Sequence, residues 1–302
     1  MSIPLITLSL DIMVVLIPPV LSDIYTLTRG AKGYLCPLFL DSPHSGARIP
    51  PDFITSCDHI DLRYSEDKAI DQLSANAYKQ GITTLHAQFH RTYIDLNRAL
   101  DDLDPDLCAD LPDWLLKPSR RNAYGLGLIH TRARGKDIYT HALSKDAIHH
   151  RVNHYYKPYY TALDQEIASL HDQFGFVLHL NMHAMPSHSS DGKKLPDIVI
   201  GDRDGSTAHR VWRDMIVDRL KQAGFVVTIN APYKGVETIR HTGRPRQGVH
   251  ALQIEINKAL YMNEQTLEFH EGWSDLQQQF SAIWADLAPL LREMTYQRHA
   301  AE

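Results

Sequence analysis

Short apolar runs, several with alternating polar positions, predict six strands: Tyr34–Asp41, Gln88–Asn97, Phe176–His183, Asp197–Gly201, Phe225–Asn230 and Ala251–Asn257. Elsewhere the apolar spacing lengthens to that of a helix, over Lys68–Gln80, Asp146–Phe174, Ser206–Ala223 and Glu264–Met294, with breaks expected inside the longest two. Gly224 reads as the cap that ends a helix before the next strand. Strands alternating with helices predict an α/β fold, with a mainly parallel sheet covered on both faces. Ligands of such sheets gather beyond the carboxyl ends of the strands. No repeat, low-complexity tract or long linker interrupts the pattern, so one catalytic domain is expected over residues 31–302 behind an N-terminal extension, residues 1–30.

Composition narrows the class. A chain of 302 residues with 43% hydrophobic and 22% charged residues can bury a full core as one enzyme-sized domain. The net charge of -5 is small and Lys and Arg are scattered, which leaves no electrostatic footprint for nucleic acid. Cys36, Cys57 and Cys108 form no paired or zinc-binding spacing, and a reducing cytoplasm fits them best. The apolar stretch from Ile3 to Leu21 is interrupted by Asp11 and by Pro18 and Pro19, with no basic residue ahead of it, so neither export nor membrane anchoring is expected. Six aspartates and two prolines between Asp101 and Asp113 predict a solvated loop without the glycine-centred pattern of a calcium site.

Candidate chemistry lies at predicted strand ends. His44 follows the first strand in the turn Pro43-His44-Ser45-Gly46, and His183 closes a strand whose other face carries Phe176, Leu178, Leu180 and Met182. Two imidazoles at two strand ends suit a catalytic metal. A carboxylate should complete the set. Asp67 is favoured, with Glu66 and Asp71 as substitutes, although Ser65 or Asp67 would also serve to cap a helix start whose dipole Glu66 complements. On the strand over 88–97, Arg91, Tyr93, Asp95 and Asn97 should share one face, which reads as a pocket where Arg91 or Arg98 could hold a carboxylate. Arg240, His241 and Arg244, near Tyr233, belong to a segment whose glycines and prolines predict a shaped loop suited to an anionic substrate. Glu255 sits in mid-strand among Leu252, Ile254 and Ile256, where a carboxylate needs either a basic partner or a proton-transfer role. No G-x-S-x-G elbow occurs, which argues against a serine hydrolase.

The Pro43–Gly46 turn, the His90–Arg98 segment, the Asn181–Pro186 strand end and the downstream segments 197–205, 231–235, 238–245 and 248–262 occur together and in order. In this the chain closely resembles the N-formylglutamate amidohydrolase family, from about Tyr34 to beyond Met262. The resemblance implies a three-layer α/β/α fold with a mixed, mainly parallel central sheet, like that of zinc-dependent exopeptidases (phosphorylase/hydrolase-like). It implies hydrolysis of N-formyl-L-glutamate to formate and L-glutamate in histidine degradation, with one Zn2+ ion held by His44, Asp67 and His183. Glu255 is then the general base, Arg240 and His241 assist catalysis, and Arg91, Asn97, Arg98, Tyr233 and Arg244 contact a small anionic N-acyl amino acid. Two alternatives remain open: hydrolysis of another N-acyl amino acid or small peptide on the same site, or a small-molecule sensor without turnover.

Overall fold

The computed structural model describes residues 18–107 and 116–301. Strands β1 (Val20–Leu21), β2 (Tyr25–Thr28), β3 (Leu38–Ser42), β4 (Thr83–Ala87), β7 (Val177–Met185), β8 (Ile198–Gly201), β9 (Val227–Ile229) and β10 (Val249–Asn257) form one sheet in the order β1-β2-β4-β3-β7-β10-β8-β9. A separate hairpin is made by β5 (Arg132–Ala133) and β6 (Lys136–Asp137). The central strands β4, β3, β7 and β10 run parallel, while β2 pairs antiparallel with β4 and β8 antiparallel with β10. The fold is therefore α/β with a mixed, mainly parallel sheet. Part of the segment expected to be an extension joins it, because β1 and β2 form one edge; residues 1–17 lie outside the described residues.

The helices are α1 (His59–Arg63), α2 (Lys145–Arg151), α3 (Lys157–Phe174), α4 (Arg210–Gln222), α5 (Glu237–Thr242) and α6 (Gly272–Ala301). Strand periodicity assigns them to faces. Leu38, Leu40, Leu178, Leu180, Ile254 and Ile256 turn to one side, where they pack with Ile216, Val217 and Leu220 of α4 and Phe280, Trp284 and Leu287 of α6. Burying each such side chain contributes about 1.5–3 kcal/mol. Phe39, Leu85, Val177 and Val249 turn to the other, against Tyr159, Leu163, Ile167 and Leu170 of α3. Between α2 and α3 the helix widens into a π turn at Val152–Tyr156. Pro158 lies just beyond it, and a proline can neither donate to the preceding turn nor fit under its carbonyl, which accounts for the widening.

Two predicted elements are replaced. Over Lys68–Gln80 the chain makes two short 3-10 turns, Ile70–Ser74 and Ala77–Gln80, because Ala69 takes a left-handed conformation (φ 61°) that a continuous helix excludes. The predicted strand Gln88–Asn97 is a series of turns beyond β4. Side chains there compete for the backbone: the His90 ring accepts from the Thr92 N–H (3.2 Å) and the Asp95 carboxylate from the Asn97 N–H (2.8 Å). The expected sharing of one face by Arg91, Tyr93, Asp95 and Asn97 fails as well, since Tyr93 is buried in the apolar cluster beside Ile94 and Leu96. Cys36 and Cys57 are buried free thiols, and Cys108, with the middle of the aspartate-rich loop, lies outside the described residues. Among the described residues no helix is long and apolar enough to cross a membrane.

Gly81 ties the start of β3 to α6. Its carbonyl accepts from the Cys36 N–H, and Arg292 of α6 donates to Tyr34 and Gln80 on either side. At φ 87° an added Cβ would lie 1.7 Å from the Tyr34 carbonyl oxygen, whereas Gly192 (φ 81°) faces open space. Gly81→Ala should therefore cost at least ~2 kcal/mol and Gly192→Ala only about 1 kcal/mol. Equal denaturant midpoints for the two variants would contradict this account.

Candidate metal centre and active-site cavity

His44 is carried by the turn that follows β3, and a hydrogen bond from the Asp67 N–H to the His44 carbonyl (3.0 Å) brings the α1–Ile70 connection alongside it. His183 lies near the carboxyl end of β7, and Glu255 pairs with it across the parallel β7/β10 ladder. The sheet thus converts three distant stretches of sequence into neighbours. His44, Asp67 and His183 are buried, and one donor atom from each lies within 4.8 Å of the others. Asp67 Oδ2 is 2.9 Å from His183 Nδ1 and 3.3 Å from His44 Nδ1.

The outer nitrogens fix the tautomers. His44 Nε2 faces Asp95 Oδ1 at 2.7 Å, and since a carboxylate only accepts, that nitrogen carries the proton. His183 Nε2 faces Asn181 Oδ1 at 2.7 Å, and Asn181 is oriented by donating its amide to Asp41 (2.8 Å). Both rings therefore present Nδ1 lone pairs to the Asp67 carboxylate, three acceptors directed at one point. His44 Nδ1 is a buried atom without a hydrogen-bond partner. Such a set is stable only around a cation or a proton, and its two nitrogens and one oxygen, each imidazole braced from behind, fit a divalent metal such as zinc.

Burial opposes charge on Asp67, yet the neighbouring His183 and His44 rings and the Arg91 charge outweigh it and hold its pKa below the usual range. Burial likewise opposes charge on Asp95, but Arg91, His44 and Arg98 drive its pKa well down. Asp95 has no exposed surface and also accepts from Arg91 Nη2 (2.8 Å) and His130 Nε2 (3.0 Å). Glu255 shows the opposite balance. Burial raises its pKa by more than the neighbouring His183 ring lowers it; Gln253 Nε2 donates to it at 2.7 Å.

His44, Asp67, His183 and Glu255 floor a cavity of about 250 Å³. Arg91, Asn97, Arg98 and Tyr233, expected at the substrate, all line it. Asn97 stands within 3.1 Å of His183 and 3.2 Å of Gln253 through Nδ2, and its Oδ1 accepts from the Thr238 N–H at 2.9 Å. Glu66 faces Arg63 and His90 instead, and Asp71 lies outside the histidine-carboxylate group, so of the three acidic candidates only Asp67 joins the two histidines.

The 238–245 segment corrects the loop expectation. It contains α5, which buries Thr238, Ile239 and Thr242, so Arg240 and His241 turn outward. Arg240 pairs with Glu237 (2.6 Å) and His241 with Asp164 (2.8 Å), both beside a separate open cleft, and Arg244 is exposed with a contact to the His241 carbonyl. None of these three lines the cavity. In their place Arg121 and His130 do. Neither has a signal in local pattern, because both reach the cavity from an irregular segment whose path is set by contacts with Asp95 and Asp102.

Residues 36–262 match the N-formylglutamate amidohydrolase family. The N-formylglutamate deformylase of Pseudomonas aeruginosa is 28% identical over 237 residues, covering 76% of this chain and 83% of that protein. The N-formylglutamate deformylase of Pseudomonas putida is 28% identical over 236 residues, covering 76% and 82%. The crystal structure of N-formylglutamate amidohydrolase from Ralstonia eutropha JMP134 superposes with a TM-score of 0.85 at 37% identity, over 90% of this chain and 99% of that one. With three quarters of its length matched and the fold shared, this chain belongs to the N-formylglutamate amidohydrolase family.

Proposed function

We propose that this chain is a zinc-dependent amidohydrolase that cleaves N-formyl-L-glutamate to formate and L-glutamate, within histidine degradation and in the cytoplasm. The observation that carries this reading is the convergence of His44, Asp67 and His183 on one point of a small cavity, with Glu255 opposite His183 on the next strand. Family membership and relatives named for this reaction support the choice of substrate. A cavity of about 250 Å³ suits a small metabolite.

His44, Asp67 and His183 would hold the metal. The chemistry supplied by a divalent ion there is Lewis acidity, which polarises an amide carbonyl and lowers the pKa of water toward neutrality. Glu255, a half-buried carboxylate whose proton affinity is raised, takes the proton from the attacking water and delivers it to the departing amine nitrogen. Arg91, 15% exposed and held by Asp95, faces the negative charge that develops on the carbonyl oxygen. Asp95 and Asn181 keep both imidazoles in the tautomer that leaves Nδ1 open.

Glu255→Gln should lower formate release by about 10²- to 10⁴-fold without shifting the melting temperature appreciably. Near-full turnover in that variant would exclude Glu255 as the base. Purified protein should contain close to one equivalent of zinc, and chelation should abolish formate release until metal is restored; activity indifferent to chelation would remove the metal from the mechanism. N-formylglutamate should be preferred over N-acetylglutamate and over small peptides. Release of acetate or amino acids with no release of formate would favour a different N-acyl substrate on the same site.

A further inference from the structure

Three guanidinium groups line the cavity, and the structure distinguishes them by what they already hold. Arg91 is engaged by Asp95 and faces Asp67 at 3.5 Å. Arg98 is buried and spends its donors on the carbonyls of Leu126 (2.9 Å) and Asn97 (2.8 Å), and burial pushes its pKa down to about 10. Arg121 is half-buried and its side chain makes no hydrogen bond or ion pair with any of the described residues. It is a cation at a cavity wall with its donors uncommitted.

Its backbone, by contrast, is firmly placed. The buried Asp102 carboxylate accepts from the Ser119 N–H (2.7 Å) and from the Asn122 side chain, one residue on either side of the Arg120–Arg121 pair. The Arg121 carbonyl accepts from the Tyr124 and Leu126 N–H groups, each at 3.0 Å. Leu126 is in turn the residue whose carbonyl Arg98 holds, so the wall bearing Arg121 is bolted to the cavity floor. A fixed backbone carrying an unsatisfied fork of donors is preorganised for a planar anion. Tyr233, half-buried and with no hydrogen bond to its hydroxyl among the described residues, lines the same cavity.

We infer that Arg121 is a specificity-determining residue, which binds one carboxylate of the dicarboxylic substrate while the formyl group lies over the histidine-carboxylate centre. This rests on the proposed function and adds to it an anchor for the amino-acid half of the substrate. Arg91 and Arg98 serve that end poorly, because a second carboxylate would have to displace bonds they already make.

The test compares wild type, Arg121→Met, Arg121→Lys and the exposed neighbour control Arg120→Met on N-formyl-L-glutamate and on its α-amide and γ-amide. Calorimetric Kd values for L-glutamate, isoglutamine and glutamine accompany the kinetics. Arg121→Met should lower kcat/KM on N-formylglutamate by roughly 10- to 100-fold, mainly through KM. That loss should shrink to within about threefold on one of the two amides, the one lacking the carboxylate that Arg121 holds. Arg121→Lys should fall between, and Arg120→Met should match wild type. Unchanged kcat/KM in Arg121→Met, or an equal loss on all three substrates, overturns the inference. Wild type that releases no formate overturns the proposed function alone if Arg121→Met still weakens glutamate binding, and both if it does not.

Discussion

A single buried carboxylate, Asp95, governs how the cavity is built. Removed from water, it needs every lone pair occupied, and it obtains this from His44, His130, Arg91 and the Asn97 N–H, which come from three separate stretches of the chain. An unpaired charge at such depth would cost several kcal/mol. Those partners are therefore not free to drift. Satisfying Asp95 sets the proton on His44 Nε2, draws Arg91 to the cavity floor, and bends the 88–98 segment into the turns that replace the predicted strand.

The sheet supplies the remaining geometry. Along β7, His179, Asn181 and His183 fall on the face away from Leu178, Leu180 and Met182, and they become successively more useful toward the carboxyl end. His179 is locked to Asp41 at 2.7 Å and to Thr242 at 2.9 Å, deep in the structure. Asn181 bridges Asp41 to His183, and His183 reaches the cavity. The polar stripe is thus a brace at one end and chemistry at the other. Parallel alignment of β7 and β10 then sets Glu255 beside His183, a juxtaposition that an antiparallel pair in another register would not give.

Charge in the cavity is divided rather than pooled. Asp67 and Asp95 are held ionised by their neighbours, whereas Glu255 is pushed toward its protonated form by burial. Among the cations, Arg91 and Arg98 stabilise the framework, and Arg121 keeps its donors for whatever enters. Carboxylates of the same chemical type thus differ in role through their surroundings alone.

Much of this was legible in the linear order of residues. Apolar periodicity located β3, β7, β8, β9 and β10, the longer helices and the mainly parallel sheet, but not the central strand β4. His44, His183 and Glu255 stood out because a strand end or a polar stripe announces itself within a few residues. Asp67 could be ranked above Glu66 and Asp71 but not separated from them, since capping and dipole complementation at a helix start would by themselves justify acidic residues there. Only the tertiary structure made that choice, through a backbone bond from Asp67 to His44. It also turned Arg240 and His241 outward on α5, because a six-residue helix shows which face is inward only when something packs against it. It brought Arg121 and His130 in from a segment without periodicity. Sequence patterns report interactions between neighbours in the chain, and which buried groups meet across 17 to 116 residues is decided by the satisfaction of groups such as Asp95 and Asp102 in three dimensions.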